Sequence, residues 1–271
     1  MRILFLTLFL VITTFSLPTA AQMSNGTDTD FKITVKSRDA KFIGTSMGGA
    51  RVMIVDKRTG DTIVEGVTTG GTGDTATIMK DTYERNPVYF TDGAAKFEFS
   101  LEILEPMPVT VTATAPLAQG QSLATVSEDM ILIPLKDYTT GNGIMLELPG
   151  FAVDVLSPPA HRKLPHSPDR PITVTANVIK MCGCHIAEDS PWPPENYEVE
   201  AHVYVNSLYI TSTPLEFTGE PGIYETNLKI PQPGTFRIVV TAFDPVTKEG
   251  GMDTTTIVLE KQKEPASNEQ Q

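Results

Sequence analysis

Apolar and polar residues alternate in short runs along most of the chain, and helical periodicity is hard to find. In Lys96-Phe97-Glu98-Phe99-Ser100-Leu101-Glu102-Ile103 every second residue is apolar, as a strand with one buried face requires. Comparable runs are Phe31–Val35, Ala50–Asp56, Thr62–Thr68, Ala95–Leu104, Val109–Ala115, Met130–Leu135 and Ile144–Leu148. Arg58-Thr59-Gly60-Asp61, Thr91-Asp92-Gly93 and Thr140-Gly141-Asn142-Gly143 punctuate them with turn residues. Between Leu156 and Pro171 the rhythm breaks. Pro158, Pro159, Pro165, Pro168 and Pro171 stiffen this stretch, which also carries His161, Arg162, Lys163 and His166. Proline is confined to edge strands and linkers, so the segment is expected to be a linker plus the edge strand opening a second domain. Further strands follow at Ile172–Met181, Tyr197–Asn206, Leu208–Phe217, Ile223–Ile230, Thr235–Asp244 and Met252–Glu260.

The pattern predicts an all-β chain of two consecutive β-sandwich domains, 30–155 and 156–261. Some seven strands in about 100 residues is the economy of an immunoglobulin-like sandwich. The stretch Pro233-Gly234-Thr235-Phe236-Arg237-Ile238-Val239-Val240-Thr241-Ala242-Phe243-Asp244 resembles the penultimate strand of bacterial immunoglobulin-like domains. No cysteine pair is placed to bridge the sheets, so packing must hold them. In the first domain, Gly49-Ala50-Arg51-Val52-Met53-Ile54-Val55-Asp56, followed by Thr59-Gly60-Asp61 and Gly66-Val67-Thr68-Thr69-Gly70, is similar to transthyretin-like and carboxypeptidase-regulatory modules. That resemblance implies two neighbouring strands here, although Gly71-Thr72-Gly73-Asp74-Thr75 departs from the usual continuation.

The ends of the chain change the picture of location. Arg2, the apolar stretch Ile3–Leu17 and the small residues Thr19-Ala20-Ala21 read as a signal peptide over 1–21. The apolar run is shorter than the roughly 20 residues that span a bilayer, and no Cys stands at the cleavage point to take a lipid. The mature protein is expected to be periplasmic or secreted, without a membrane span, and to end in a polar, disordered tail over 262–271. A formal charge of −12, with no Lys/Arg block, argues against nucleic acid as a partner. A protein partner in the cell envelope fits better.

Candidate chemistry is sparse. Gly70-Gly71-Thr72-Gly73-Asp74-Thr75 lacks a P-loop lysine and precedes a poor helix opening, Ala76–Lys80, so it reads as a sandwich loop. Ser46 in Gly44-Thr45-Ser46-Met47-Gly48 has nucleophile-elbow spacing, but the first domain holds no histidine, and an elbow needs an α/β sheet. The chain is expected not to be an enzyme. Both cysteines and all four histidines fall between His161 and His202, centred on Met181-Cys182-Gly183-Cys184-His185. Three readings of that stretch stay open. Thiolate, thioether and imidazole suit copper or, to a lesser degree, zinc, which makes Cys182, Cys184, His185 and Met181 a soft-metal site, with His161 or His166 as further ligands. Alternatively, Cys182 and Cys184 form a structural disulfide, which Gly183 permits. Finally, the thiols could do redox or copper-delivery chemistry. Trp192, the sole tryptophan, lies in a proline-stiffened loop, either capping the sandwich end or presented to a partner. His202 falls on the polar face of its strand with Glu200 and Tyr204, outside the candidate site.

Overall fold

The structure is a computed structural model, and it describes residues 28–80, 84–167 and 169–261. The signal peptide expected over 1–21 and the disordered tail expected over 262–271 lie outside the described residues. The first sandwich contains β1 (Asp28–Ser37), β2 (Arg51–Asp56), β3 (Thr62–Val67), β4 (Phe97–Glu102), β5 (Met107–Ala115), β6 (Ala124–Leu132) and β7 (Ile144–Leu148). One sheet runs β4-β1-β7 and the other β3-β2-β5-β6. The hairpin implied by the resemblance in this region is present, with Arg51 opposite Val67 and Ile54 opposite Val64. Alternation does its work in β2 and β5, whose Val52, Ile54, Val109, Val111 and Ala113 are fully buried, while Phe31 stacks on Phe99 at 4.9 Å.

Strand β1 is covered on both faces. Its polar alternates Lys32, Thr34 and Lys36 are buried beneath the segment around Tyr89 and Phe90. The Lys32 ammonium lies 4.2 Å from the Phe90 ring centre and donates to the Gly141 carbonyl at 2.8 Å. Lys36 pairs with Glu147 at 2.9 Å. The covering segment is pinned by Asn142, whose side-chain oxygen accepts from the Tyr89 and Phe90 amides at 2.7 and 3.0 Å. A half-buried strand was the expectation from periodicity; the long stems of the lysines, buried while their heads find partners, allow the second face to be covered. The stretch Ala76–Lys80 departs from expectation too. Asp74 accepts from the Thr77 amide at 2.8 Å and caps a one-turn helix, α1 (Thr75–Ile78), so a good N-cap outweighs weak helix formers.

The second sandwich contains β8 (Phe151–Ser157), β9 (Arg162–Pro165), β10 (Ile172–Lys180), β11 (Glu198–Val205), β12 (Leu208–Pro214), β13 (Glu216–Phe217), β14 (Ile223–Leu228), β15 (Gly234–Phe243) and β16 (Gly250–Glu260). Its sheets run β13-β14-β10-β8 and β12-β11-β15-β16-β9. With β8, β10, β14 and β13 as strands A, B, E and D, and β11, β15 and β16 as C, F and G, this is an immunoglobulin-like order, β12 adding the strand beside C. The single run expected over Leu208–Phe217 divides at Leu215, which is buried, and the chain changes sheets there. The Pro-rich stretch does supply an edge strand, β9, parallel to β16 with Arg162 opposite Ile257. Strand β8, most of which lies within the 30–155 span read from sequence as the first domain, is hydrogen-bonded to β10, Val153 opposite Val178. Its run of Phe151, Ala152 and Val153, all buried, has no alternation to mark it as a strand start.

The sandwiches share a continuous junction. Ala152, Ile179 and Met181 from the second pack into the core of the first, and Ala40 from the first packs into the core of the second. The Gln121 side chain donates to the Val153 carbonyl at 3.1 Å, and the Val153 amide donates to Ser122 Oγ at 3.1 Å. Arg38 faces Glu249 at 3.3 Å.

Candidate functional site: the Cys-Gly-Cys-His turn

Strand β10 ends at Lys180, and the next four residues reverse the chain. The Gly183 amide donates to the Lys180 carbonyl at 2.8 Å, and the Lys180 amide donates to the Cys184 carbonyl at 3.0 Å. Gly183 sits at φ +82°, where a side chain would be strained, and a Cβ there would meet the Met47 sulfur of the first sandwich at 2.9 Å. Cys182 and Cys184 are disulfide-bonded, their Cα atoms 5.4 Å apart. The disulfide is buried in the second core, with Cys182 1% and Cys184 9% exposed.

The other proposed metal ligands diverge from this pair. Met181 is buried in the core cluster of the first sandwich, so adjacent residues of the turn enter different cores. The His185 side chain is exposed. His166 donates through Nε2 to the Ile230 carbonyl at 3.1 Å, and exposed His161 is held through its backbone amide by the Thr256 carbonyl at 2.6 Å. Among the described residues no group of three or more His, Cys, Asp or Glu side chains is placed to hold a metal ion. Copper and zinc take thiolates, and a disulfide offers none, so the donor set as folded does not fit either ion. His202 stays on the sheet surface: its ring nitrogen is 2.9 Å from Thr241 Oγ1 and 3.6 Å from Glu200.

Trp192 is 4% exposed and sits in the second core. Its indole N–H donates to the Asp39 carbonyl of the first sandwich at 2.7 Å, so it caps the sandwich end and ties the two units together. Ser190 shapes its loop, accepting from the Trp192 amide at 3.0 Å.

Lys180 is the residue that sequence reasoning missed. It is fully buried, and its ammonium has no hydrogen-bond partner among the described residues. It lies 4.7 Å from the Phe151 ring centre and 5.5 Å from that of Tyr197. Burial pushes its pKa below the ordinary lysine range, against the pull of Asp39, Glu249 and Asp244. Burial likewise holds the Tyr197 and Tyr224 hydroxyls above the usual tyrosine range. The only sequence signal for Lys180 is a lysine closing an apolar strand, which surface strands share.

Among the described residues the hydrolytic candidate gains no partner. Ser46 lies in a 3-10 turn, Thr45–Met47, exposed and in a sandwich without histidine. Among the described residues no helix is long and apolar enough to cross a membrane.

No protein-family model matches the chain, and no curated protein matches it by sequence. Solved structures are similar at a distance. An engineered protein is 15% identical over 45% of this chain and 23% of its own, with a TM-score of 0.30, so the chain spans about a quarter of that one. Fibronectin(III)-like modules of Clostridium thermocellum CbhA are 13% identical over 89% of this chain and 92% of theirs, TM-score 0.30. A protein of Corynebacterium diphtheriae described as membrane anchored is 14% identical over 90% of this chain and 53% of its own, TM-score 0.29. The strand order itself, rather than these likenesses, makes the chain an all-β protein of two sandwiches, the second immunoglobulin-like.

Proposed function

We propose that the chain is an exported, non-catalytic binding or envelope-accessory protein. In this reading the domains divide between Leu148 and Phe151, the first being transthyretin-like. The Cys-Gly-Cys-His turn is a structural lock at the junction, not a metal or redox centre. Edge strand β12 is the surface offered to a protein partner. One observation carries the last point. Leu208-Tyr209-Ile210-Thr211-Ser212-Thr213-Pro214 holds no charge and forms the open edge of its sheet, with Leu208 68%, Tyr209 56% and Ile210 50% exposed. Natural edges are blunted by charges, bulges or covering loops because unpaired N–H and C=O groups recruit other strands. A charge-free edge on a chain of net charge −12 suits an extended, uncharged segment of a partner, added as a further strand.

The experiment places a photo-crosslinking amino acid at Tyr209 in cells exporting the protein. A discrete adduct with another envelope protein, lost on Ile210→Lys, supports the reading. No adduct, or one indifferent to Ile210→Lys, contradicts it. The rival reading, copper delivery or thiol redox chemistry by Cys182 and Cys184, requires the disulfide to be open in the exported protein.

A further inference from the structure

A cavity of about 500 Å³ opens between the end of β8, edge strand β9 and the start of β10, a volume in the range of small-molecule sites. Leu164, Ile172, Ile230 and Leu259 supply an apolar wall, and Arg162 and Arg170 supply charge; among the described residues no carboxylate lines it. Of the other described arginines, all but exposed Arg85 are engaged. Arg38, Arg51 and Arg58 are ion-paired, and Arg237 lies over the Tyr204 ring. Neighbouring Lys163 is near Glu260 at 3.8 Å. Among the described residues no ion pair or side-chain hydrogen bond is made by Arg162 or Arg170. A chain of net charge −12 has carboxylates to spare, yet among the described residues this cavity presents two cations without one. His166, which anchors to the Ile230 carbonyl at 3.1 Å, ties the Pro-rich segment to the opposite wall and keeps the cavity formed.

We propose that this cavity is a binding site for a small amphipathic anion. A carboxylate or phosphate head takes Arg162 and Arg170, whose planar donor forks match either group. The apolar body lies against Leu164, Ile172, Ile230 and Leu259. The site is independent of β12 and stands whether or not that edge takes a partner.

Isothermal titration of the full exported chain with decanoate, decyl phosphate, decanol and inorganic phosphate, all below micelle-forming concentrations, tests it. Saturable 1:1 binding of decanoate or decyl phosphate is expected, with decanol and inorganic phosphate each weaker by at least about tenfold, since each lacks one half of the recognition. The tighter of the two anions identifies the head group. The variant Arg162→Gln/Arg170→Gln changes exposed side chains, and its affinity for the anion is expected to fall by about tenfold or more. Amide shifts in the unaltered protein give a second readout: perturbation centred on Leu164, Ile172 and Ile230 supports the site. Decanol binding as tightly as decanoate, no saturable binding of either anion, shifts centred elsewhere, or an unaltered affinity in a folded double variant would overturn the proposal.

Discussion

Replacing Lys180 by methionine should stabilise the protein rather than break it. The ammonium is fully buried and has neither a hydrogen-bond partner nor an ion pair among the described residues. Its compensation is two aromatic faces at 4.7 and 5.5 Å, each worth at most about 2 kcal/mol when desolvated, and attraction to more distant carboxylates. Against that stands a desolvation cost of several kcal/mol for a buried ion. Methionine keeps the stem and fills the aromatic box without charge. Glu249 is not orphaned by the change, because it keeps Arg38 at 3.3 Å and the Gly150 amide at 3.1 Å. The expected gain at pH 7 is about 1–3 kcal/mol, read as a higher urea midpoint at unchanged slope, with Trp192 emission as the probe. The pH dependence supplies the sharper signature. Lys180 in the folded protein titrates below its unfolded value of 10.5. Between those two values the unfolded chain binds more protons, so native stability rises with pH. Lys180→Met removes this rise. Above pH 10 both proteins should lose stability, because buried Tyr197 and Tyr224 hold their protons above the unfolded tyrosine value of 10.0. A loss of 2 kcal/mol or more in Lys180→Met, or an alkaline rise that survives the substitution, would refute the reasoning by showing that the cation holds the junction together.

Further outcomes follow from the same junction and edge. Cys182→Ala/Cys184→Ala should cost only about 1.5 kcal/mol, the chain-entropy value for so short a loop, and leave the circular dichroism native; a variant unable to fold would contradict a minor locking role. Trp192→Phe removes the N–H donor to the Asp39 carbonyl and should lower stability by about 1–3 kcal/mol in chemical denaturation followed by circular dichroism, whereas no change would mean that the bond is dispensable. Gly183→Ala, at φ +82° and facing the Met47 sulfur at 2.9 Å, should cost about 1–2 kcal/mol, and an equal or higher melting temperature would exclude the close approach. Ile210→Lys should alter stability by no more than about 0.5 kcal/mol, because it changes a half-exposed side chain on an open edge; a larger loss would mean that the edge is not free.

Most of the fold was legible wherever one face of a strand is wet. Period-two alternation located β2, β4, β5 and β7 closely, and the spacing of the later runs pointed to the immunoglobulin-like order. It failed where burial is two-sided or local. Phe151-Ala152-Val153 enters β8 without alternation because the junction covers both its faces. Leu215 marks a change of sheet that no period records, and α1 depends on one Asp74 cap. At the candidate site, the clustering of cysteine and histidine along the sequence did not survive as clustering of side chains. Successive residues of a tight turn point in opposing directions, so Met181 and Cys182 enter different cores while His185 faces solvent. Lys180 and the Trp192–Asp39 bond were invisible because each depends on contacts between residues distant in the sequence.

The lock at Cys182 and Cys184 is tested most directly by a free-thiol count, under denaturing and non-reducing conditions, on protein purified from cells without reductant, with copper and zinc measured on the same sample before denaturation. No reactive thiol, a Cys182–Cys184 linkage in the peptide map, and no stoichiometric metal are expected. Two titratable thiols, or about one equivalent of copper or zinc lost on treatment with a chelator, would contradict it.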